Sequence, residues 1–274
     1  LLVPLHLYVI YVFLVTIANP SLEILDLIAY LIIMGTILGI NGINGGHELG
    51  HKIEHPFKMF LARILLTTSF QNHFITYHNG GHHRDVATPN DLTTAKKGDV
   101  FYFFAIKSQI GGYFKSWRLE AEKIKSKGGN QLFNPMIIHT IIPWSFLGFI
   151  YLFFSMEVTL LYFLAAIFGI SILEAQNYFS HYGLERKQKE DGTYERVKVE
   201  HSWNSDHVIG RVFLFELTRH SDHHFSGAKH YQILRSKDES PMLPYGYPAM
   251  LILSYFPFLF KPIMEKQLTK YGMN

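Results

Sequence analysis

The sequence predicts an all-α fold: an integral membrane helical bundle with a cytoplasmic helical cap that carries a histidine-rich dimetal site. Three observations predict it. Only 17% of the residues are charged and 48% are hydrophobic, whereas soluble domains carry about 25% charged residues. Long apolar segments are joined by very short connections, and sixteen histidines occur without any cysteine. The 274 residues fit one large domain, so we interpret 1–274 as a single integral-membrane domain.

Four segments approach the roughly 20 apolar residues that a membrane-spanning helix needs. They are 1–18, 24–43, 136–154 and 158–176. The connections at 19–23 and 155–157 are so short that the four segments form two helical hairpins. The chain begins with Leu1, and no basic region of a signal peptide precedes the first apolar segment. We therefore expect a fragment that begins inside a hydrophobic helix.

The distribution of basic residues predicts which side of the membrane each connection faces. All 25 lysines and arginines lie in 44–135 or after residue 177, and neither short connection contains one. Because basic loops stay in the cytoplasm, we expect 44–135 and 177–274 to be cytoplasmic. The alternative is a soluble all-α protein with buried hairpins, which such strict segregation disfavours.

Four cytoplasmic segments have patterns of their own. We expect an interfacial helix at 57–70 and a charged amphipathic helix at 113–127 that Gly128 ends. We expect an exposed hairpin or loop at 186–201. Pro257 interrupts the apolar segment 248–263, which we expect to lie at the interface or to pack on the bundle.

Composition also excludes several functions. Without cysteine, the chain forms no disulfide, iron–sulfur cluster or thiolate-ligated haem. Any redox chemistry must therefore use other ligands, and its electrons must come from a separate protein. The formal charge of +3 is too small to indicate nucleic-acid binding.

Nine histidines fall into four short groups, HELGHK (47–52), HNGGHH (78–83), NYFSHYG (177–183) and RHSDHH (219–224). Histidines three or four residues apart share one face of a helix, so we expect convergent rings within three of the groups. The first and third groups directly follow predicted spans and lie at the same membrane depth. The candidate metal ligands are His47, His51, His78, His82, His83, His181, His220, His223 and His224.

An imidazole set without thiolate suits iron, zinc, copper or nickel. Nine ligands are too many for one ion and fit two ions, each with an open coordination position. Neutral histidines do not compensate the charge of two such ions, so nearby carboxylates should accept hydrogen bonds from the ligand rings. The candidates are Glu48, Asp85, Asp91 and Asp222. For Asp91, an equal alternative is that it caps a helix beginning at Thr88–Asp91.

A rival interpretation uses HELGH alone. This stretch matches H-E-x-x-H, in which His47 and His51 would bind zinc and Glu48 would be the general base of an intramembrane metalloprotease. That interpretation leaves seven clustered histidines without a role. Among the other histidines, only His201 and His207 in HSWNSDH are candidates for contacts behind a ligand ring.

These motifs resemble the membrane alkane 1-monooxygenase family. HELGHK, HNGGHHRDVATPND, NYFSHYGL and LTRHSDHH are similar to its four histidine boxes in order and spacing, and HSWNSDH and YQILRSKDESPMLPYGYP extend the similarity over essentially the whole chain. The wider superfamily includes fatty-acid desaturases and xylene-type hydroxylases, and NYFSHYGL and HSWNSDH favour the alkane branch.

The resemblance implies a non-haem diiron enzyme of the bacterial inner membrane, with six membrane helices and its active site on the cytoplasmic side. It implies hydroxylation of the terminal methyl of medium or long n-alkanes, with O₂ and two electrons from rubredoxin, which a rubredoxin reductase reduces. It also implies that the nine histidines ligate two iron ions. One or two N-terminal helices of the family are then expected to be missing here.

The chain departs from the family pattern at three positions. Tyr77 and Ser180 stand where the family usually has glutamate, and Thr218 stands where it has glutamine. These changes put metal tuning and substrate range in question more than metal binding. A fatty-acyl desaturase with the same metals, and a metal-binding membrane protein without activity, therefore stay open as alternatives.

Two further features allow two interpretations each. The glycines Gly35, Gly39, Gly42, Gly45 and Gly46 either leave room for a substrate chain or permit close helix packing. The basic cytoplasmic surface suits either an acidic electron-transfer protein or anionic lipid headgroups.

Overall fold

The computed structural model describes residues 1–273, and helices are the regular structure in that part of the chain. The α-helices are α1 (Leu2–Ile17), α2 (Ile24–Ile37), α3 (Gly45–Gly50), α4 (Pro56–Thr68), α5 (Phe74–Tyr77), α6 (His83–Asp85), α7 (Phe101–Ser126), α8 (Pro135–Phe153), α9 (Met156–His181), α10 (Val208–Phe213), α11 (His220–Phe225), α12 (Tyr247–Ser254) and α13 (Pro257–Lys270). Within the described residues, β-structure is confined to two isolated bridges. The all-α prediction is confirmed.

Two π-helical segments interrupt the α-helices. Leu38–Asn44 joins α2 to α3, and His78–His82 joins α5 to α6. Short 3₁₀ turns occur at Gln131–Phe133, Val199–His201 and Tyr231–Ile233. Both π-helical segments lie directly before or within a histidine motif, a location typical of such turns at functional sites.

Three helices are long and apolar enough to cross a membrane, namely Ile24–Gly50, Gln131–Phe153 and Met156–His181. They coincide with three of the four predicted spans, and the chain is a membrane protein. The fourth, Leu2–Ile17, is apolar but shorter. Local signals start these helices where predicted: the Asn134 side chain accepts a hydrogen bond from the Met136 amide at 2.9 Å, and Pro135 occupies the first turn of α8.

The described chain forms two compact units. The first comprises Leu1–Ile75 and Glu120–Leu173, and the second comprises Thr76–Leu119 and the chain from Glu174 onward. The interpretation of 1–274 as a single integral-membrane domain stays a prediction. Each unit has its own buried core, so each is described separately.

The core of the first unit lies between α1, α2, α8 and the first part of α9. Phe13, Met34, Leu38 and Tyr162 are among its buried side chains. The Tyr162 hydroxyl donates a hydrogen bond to the Thr68 carbonyl at 2.8 Å, which ties α9 to the end of α4. Helix α4 forms as predicted within 57–70, and its buried face packs against α3.

Glycines in the first unit mark close backbone approaches. A Cβ added to Gly35 would lie 2.6 Å from the Ala165 carbonyl oxygen, and one added to Gly169 would lie 2.8 Å from the Gly35 carbonyl oxygen. Added Cβ atoms at Gly42 and Gly46 would likewise meet Ser69 and Leu66 at less than 3.0 Å. The close-packing interpretation of this glycine series is therefore confirmed, and the interpretation as room for a substrate chain is wrong at these positions.

The core of the second unit is aromatic. Trp203, Tyr178, Tyr182 and Phe260 are almost completely buried in it. The Trp203 indole donates to the Tyr182 carbonyl at 2.9 Å, and the Tyr178 hydroxyl donates to the Asp99 carbonyl at 2.8 Å. Helices α12 and α13 are separate, because Pro257 starts α13, and both contribute buried side chains to this core. The two expected positions of 248–263, at the interface or on the membrane bundle, stay predictions.

The remaining predicted elements are close to those observed. Helix α7 ends at Ser126 before Gly128, which has a positive φ of 65°, but it begins at Phe101, well before the predicted 113. The segment 186–201 contains an antiparallel bridge between Gln188 and Tyr194 around a turn, as expected for an exposed hairpin.

The helix crossing at Gly35 gives a stability prediction. Gly35→Ala places a methyl group 2.6 Å from both the Ala165 carbonyl oxygen and the Phe168 ring. The carbonyl is backbone and cannot rotate away, so we expect a loss of about 1–3 kcal/mol. The matched control is Gly148→Ala in α8, where an added Cβ meets nothing within 4 Å. The midpoint of thermal unfolding in one detergent should fall for Gly35→Ala and stay level or rise for Gly148→Ala. Equal midpoints would contradict the close approach of α2 and α9.

Candidate metal centre

The first histidine motif lies in the first unit. Helix α3 follows the π-helical segment Leu38–Asn44, and its two histidines project from one face. The Nε2 atoms of His47 and His51 are 2.9 Å apart, as the i, i+4 spacing predicts. Glu48 lies one turn before Lys52, with 3.8 Å between its Oε1 and the lysine Nζ. A contact of Glu48 behind a ligand ring stays a prediction.

The second motif differs from its predicted pairing. Because His78–His82 is π-helical, the His83 amide donates to the His78 carbonyl, five residues earlier. Residues five apart therefore share a face, and the Nε2 atoms of His78 and His83 are 2.9 Å apart. The predicted pair of His78 with His82 is wrong, because that spacing assumed an α-helix.

The fourth motif also separates its histidines. On α11, the Nε2 atoms of His220 and His224 are 3.1 Å apart, as the i, i+4 spacing predicts. The His223 ring instead lies over His83, with 4.9 Å between the ring centroids. His78, His83 and His223 thus form a three-histidine group, whose ligating nitrogens lie within 4.8 Å of one another.

The other histidines of the second unit form a four-histidine group, made of His82, His181, His220 and His224. Their Nε2 atoms lie 3.2 Å apart between His82 and His224, and 3.0 Å apart between His181 and His220. All four side chains are at least 96% buried. Three distant chain segments therefore deliver four imidazole nitrogens to one enclosed point.

These distances fit metal coordination. Imidazole nitrogens bind transition metals at about 2.0–2.1 Å, so two ligands at right angles around one ion lie about 3 Å apart. Hydrogen bonding among the rings does not explain the convergence, because each neutral imidazole carries one N–H. The His82 Nδ1–H donates to the Asp91 carboxylate at 2.8 Å, which leaves its Nε2 as a bare lone pair in the group. The donor set therefore fits a cation.

Burial keeps the group in the form that binds metals. Burial among the neighbouring histidines lowers the pKa of His224 well below its usual value. The ring is therefore neutral at physiological pH, and its lone pair is available to a metal.

A hydrogen-bond network stands behind His82. The two Asp91 carboxylate oxygens accept from His82, from the Tyr77 hydroxyl at 2.7 Å, and from the hydroxyls of Thr93 and Thr94 at 2.8 and 2.6 Å. Burial alone would raise the pKa of Asp91, but its interaction with the His82 ring and these hydrogen bonds outweigh the burial and hold that pKa far below its usual value. Asp91 is thus a carboxylate at any physiological pH.

The loop after α6 brings Asp91 to His82. Ala87 has a positive φ of 58°, which reverses the chain; its amide donates to Thr94 Oγ1 at 2.9 Å, and its carbonyl accepts from the Arg186 amide at 2.7 Å. No helix starts within 88–94 in the described chain. Of the two interpretations of Asp91, helix capping is therefore wrong, and the contact behind His82 is present.

Two other carboxylates lie elsewhere than expected. Asp85 accepts two hydrogen bonds from Arg84, at 2.7 and 2.8 Å, and one from Lys115 at 3.0 Å. Asp222 accepts from the Lys229 side chain at 2.6 Å and from the Arg235 amide at 2.8 Å. The expected contacts of Asp85 and Asp222 with histidine rings are corrected, because each carboxylate pairs with a permanent cation instead.

HSWNSDH supports the centre through its backbone and through side chains other than its imidazoles, and the His201 backbone hydrogen-bonds to His181. The Asn204 side-chain oxygen accepts from the Ser221 amide at 3.1 Å and from its hydroxyl at 2.7 Å, which fixes the first turn of α11. Ser202 Oγ lies 3.4 Å from His181 Nδ1. The His201 ring instead accepts from the Lys198 amide at 3.0 Å and so shapes its own loop.

His207 begins α10 and packs against Gly246, and no hydrogen bond from its ring to a ligand is present in the described chain. Sequence reasoning missed Asn204, Ser202 and Thr93. The one available signal for Asn204 was its place in a motif already singled out.

Two of the three departures from the family pattern lie deep in the second unit. Ser180 is fully buried, and its hydroxyl lies 3.2 Å from the Tyr247 hydroxyl. Thr218 is also fully buried, and an added Cβ at Gly210 would approach its methyl at 3.0 Å.

Comparisons with known proteins identify the family of this chain and several of its relatives. The model of the fatty acid desaturase family matches residues 25–253. The chain belongs to this family. The chain is also 34% identical to alkane 1-monooxygenase 1 of Alcanivorax borkumensis, over 99% of this chain and 67% of the relative. It is 36% identical to alkane 1-monooxygenase of Ectopseudomonas oleovorans, over 99% and 68%.

A more distant relative is the hydroxylase component of xylene/toluene monooxygenase of Pseudomonas putida, 26% identical over 88% of this chain and 66% of the relative. The resemblance to alkane 1-monooxygenases is confirmed, and this member of the desaturase family is an oxidoreductase. The protease interpretation of HELGH loses its support, because the motif is one of four in a family of oxidoreductases.

Asn204 offers a test of the centre's scaffold. Asn204→Ala removes the one side-chain oxygen that accepts two hydrogen bonds from Ser221 at the start of α11. Side-chain acceptors of this kind at helix starts contribute about 0.5–2 kcal/mol. We expect that loss in the thermal unfolding of the apoprotein, together with weaker metal binding in chelator competition. Asn130→Ala is the matched control, since Asn130 caps an exposed 3₁₀ turn. If both variants bind metal equally well, Asn204 does not hold α11 in place.

Proposed function

We propose that this protein is a non-haem diiron monooxygenase of the bacterial inner membrane that converts medium- or long-chain n-alkanes to 1-alkanols. The reaction consumes one O₂, two electrons and two protons; one oxygen atom enters the terminal C–H bond, and the other leaves as water. The observation that carries the proposal is the four-histidine group, buried and built from imidazole nitrogens alone.

The proposed ligand set comprises the nine histidines of the four motifs. His82, His181, His220 and His224 would hold one ion, and His78, His83 and His223 would contribute to the other. His47 and His51, whose Nε2 atoms are 2.9 Å apart in the first unit, are the remaining two histidines of the proposed ligand set. When bound, the two iron ions would supply the activation of O₂ and the cleavage of the C–H bond.

The protein's own residues would orient the ligands and exclude water. Asp91 compensates part of the cationic charge and fixes the His82 tautomer, so that Nε2 faces the metal. The aromatic core around Trp203 and Tyr182 closes the second unit behind His181. A dry, enclosed site protects reactive intermediates from side reactions, and an alkane dissolved in the bilayer would reach it without crossing water.

We propose that the histidine motifs face the cytoplasm and that rubredoxin, kept reduced by its reductase, is the electron donor. The charge segregation along the chain supports the orientation. These 274 residues contain no cysteine, so they include no thiolate ligand for the iron of such a carrier. The basic surface of this region would attract an acidic partner.

Two other oxidations use the same donor set and define the alternatives. A fatty-acyl desaturase would form a double bond in an acyl chain, and a xylene-type hydroxylase would oxidise an aromatic methyl group. Alkane substrates are favoured because the relatives named as alkane 1-monooxygenases are 34–36% identical to this chain, against 26% for the xylene/toluene relative.

Product analysis tests the substrate class. Cells that produce the protein with rubredoxin and its reductase should convert a chain-length series of n-alkanes to 1-alkanols, detected by gas chromatography. A double bond in cellular acyl chains, or conversion of xylene without alkane conversion, would replace the alkane proposal with one of the two alternatives.

Metal analysis tests the centre itself. The purified protein should hold two iron ions per chain, and His224→Ala should lose at least one of them with all hydroxylation. His55→Ala is the matched control, because His55 is 54% exposed and lies outside the histidine groups. Well under one iron per chain, with zinc in its place, would sink the diiron proposal. Retained peptidase activity in His224→Ala would instead revive the metalloprotease interpretation.

A further inference from the structure

We propose that Tyr77 is a positioning residue for the four-histidine group, acting through Asp91 on His82. The inference rests on metal occupancy of the proposed site, but not on which metal or substrate the protein uses. Tyr77 is also the position where this chain carries a phenol in place of the carboxylate that the resemblance leads one to expect.

The contacts form a continuous chain from Tyr77 to the ligand. The Tyr77 hydroxyl donates to Asp91 Oδ1 at 2.7 Å, and Asp91 Oδ2 accepts the Nδ1–H of His82 at 2.8 Å. The phenol therefore holds one carboxylate oxygen, and the ligand ring is bound to the other. Thr93 Oγ1 also donates to Oδ1 at 2.8 Å, and Thr94 Oγ1 donates to Oδ2 at 2.6 Å. Tyr77 and the two threonines therefore fix together the plane in which Asp91 meets His82.

Tyr77 also holds the loop that carries Asp91. Its oxygen accepts the Leu92 amide at 2.8 Å, so one hydroxyl contacts both the carboxylate and the backbone beside it. A hydroxyl is the right group for both tasks because it donates and accepts at once. A carboxylate at this position would accept from Leu92 but would repel Asp91.

The ring is fixed by close packing. Tyr77 is 5% exposed, an added Cβ at Gly81 would lie 2.7 Å from its ring, and one at Gly112 would lie 3.1 Å from it. Lys115 Nζ lies 5.6 Å from the ring centroid. Glycine on two sides leaves a slot that a phenyl ring fills, so the hydroxyl reaches Asp91 from a rigid base.

The electronic consequence has a definite sign. A donor on Oδ1 draws negative charge away from Asp91, which makes Oδ2 a weaker acceptor of the His82 Nδ1–H and leaves Nε2 a weaker electron donor to a metal. Without the phenol hydroxyl, Asp91 would draw the His82 proton more strongly, and Nε2 would become a stronger metal ligand that is less well oriented. The ligand field of that metal should therefore change even where the metal is retained.

The experiment compares the full chain with Tyr77→Phe, which keeps the ring and removes only the hydroxyl. Each protein is titrated with Co²⁺, whose d–d absorption reports the ligand field, and affinity is measured by chelator competition. We expect two bound Co²⁺ in both proteins and a shifted absorption band for one of them in Tyr77→Phe. We also expect roughly threefold to tenfold weaker binding of that ion, because the poorer orientation of His82 costs more affinity than its stronger donation adds. Loss of a direct hydrogen-bond partner of a ligand typically costs about 10–100-fold, and Asp91→Asn should approach that range.

Tyr178→Phe is the matched control. It removes a buried phenol hydroxyl that donates to the Asp99 carbonyl at 2.8 Å and has no link to a histidine ring. Thermal unfolding of the two variants shows whether the lost hydroxyl affects stability or the ligand field of the metal. If the role of Tyr77 were purely structural, both variants would have a lower unfolding midpoint and an unchanged Co²⁺ spectrum.

Further outcomes separate this inference from the proposed function. An unchanged spectrum and affinity in Tyr77→Phe overturns the inference alone. If Tyr77→Phe does not fold, 3-fluorotyrosine is placed at position 77, because it keeps the hydroxyl and makes it a stronger hydrogen-bond donor. We then expect the same Co²⁺ absorption band to shift in the opposite direction. The absence of any shift would overturn the inference. A wild-type chain that binds neither Co²⁺ nor Fe²⁺ overturns both proposals, whereas Co²⁺ binding without alkane oxidation overturns only the function.

Discussion

The convergence of imidazole lone pairs in a buried space is the constraint on which the second unit depends. Four Nε2 atoms that face one another at about 3 Å repel unless a cation lies among them, and burial denies them water. The surrounding protein must therefore hold the rings in place against that repulsion before the metal arrives. Asn204 at the start of α11, Ser202 beside His181 and Asp91 behind His82 are the contacts that do so.

The π-helical turn at His78–His82 determines the direction in which each histidine of this motif points. An α-helix would place His78 and His82 on one face and turn His83 away from both. The wider turn instead pairs His78 with His83 and sends His82 to the four-histidine group. One short motif thereby supplies ligands to two groups, and α11 does the same, with His223 in one group and His224 in the other. Two metals that lie close together need ligands that come from the same helical segments and point in different directions.

Sequence reasoning predicted the helices and the identity of the ligand candidates because both depend on local spacing. It mispaired His78 with His82, because nothing in HNGGHH distinguishes a π-turn from an α-turn before packing is known. It also expected Asp85 at a histidine ring, whereas the carboxylate accepts hydrogen bonds from Arg84 and Lys115. Arg84 is adjacent in the sequence, but Lys115 is thirty residues away, and its approach to Asp85 depends on the packing of α7. The glycine series allowed two interpretations until the backbone of α9 was placed against α2.

The three positions at which this chain departs from its family's expected pattern share one chemical property. Tyr77, Ser180 and Thr218 each carry a hydroxyl, and all three are buried in the second unit. Where the resemblance implies two carboxylates, the hydroxyls of Tyr77 and Ser180 would leave less negative charge around a bound metal while keeping hydrogen-bonding capacity. Thr218, where it implies an amide, exchanges one neutral group for another. Asp91 then compensates a larger share of the metal charge, and the strength of its hydrogen bond to His82 matters more. That strength depends on how much negative charge the Tyr77 hydroxyl draws away from the Asp91 carboxylate. The phenol and the replaced carboxylates would therefore affect the same quantity, the strength with which His82 binds its metal.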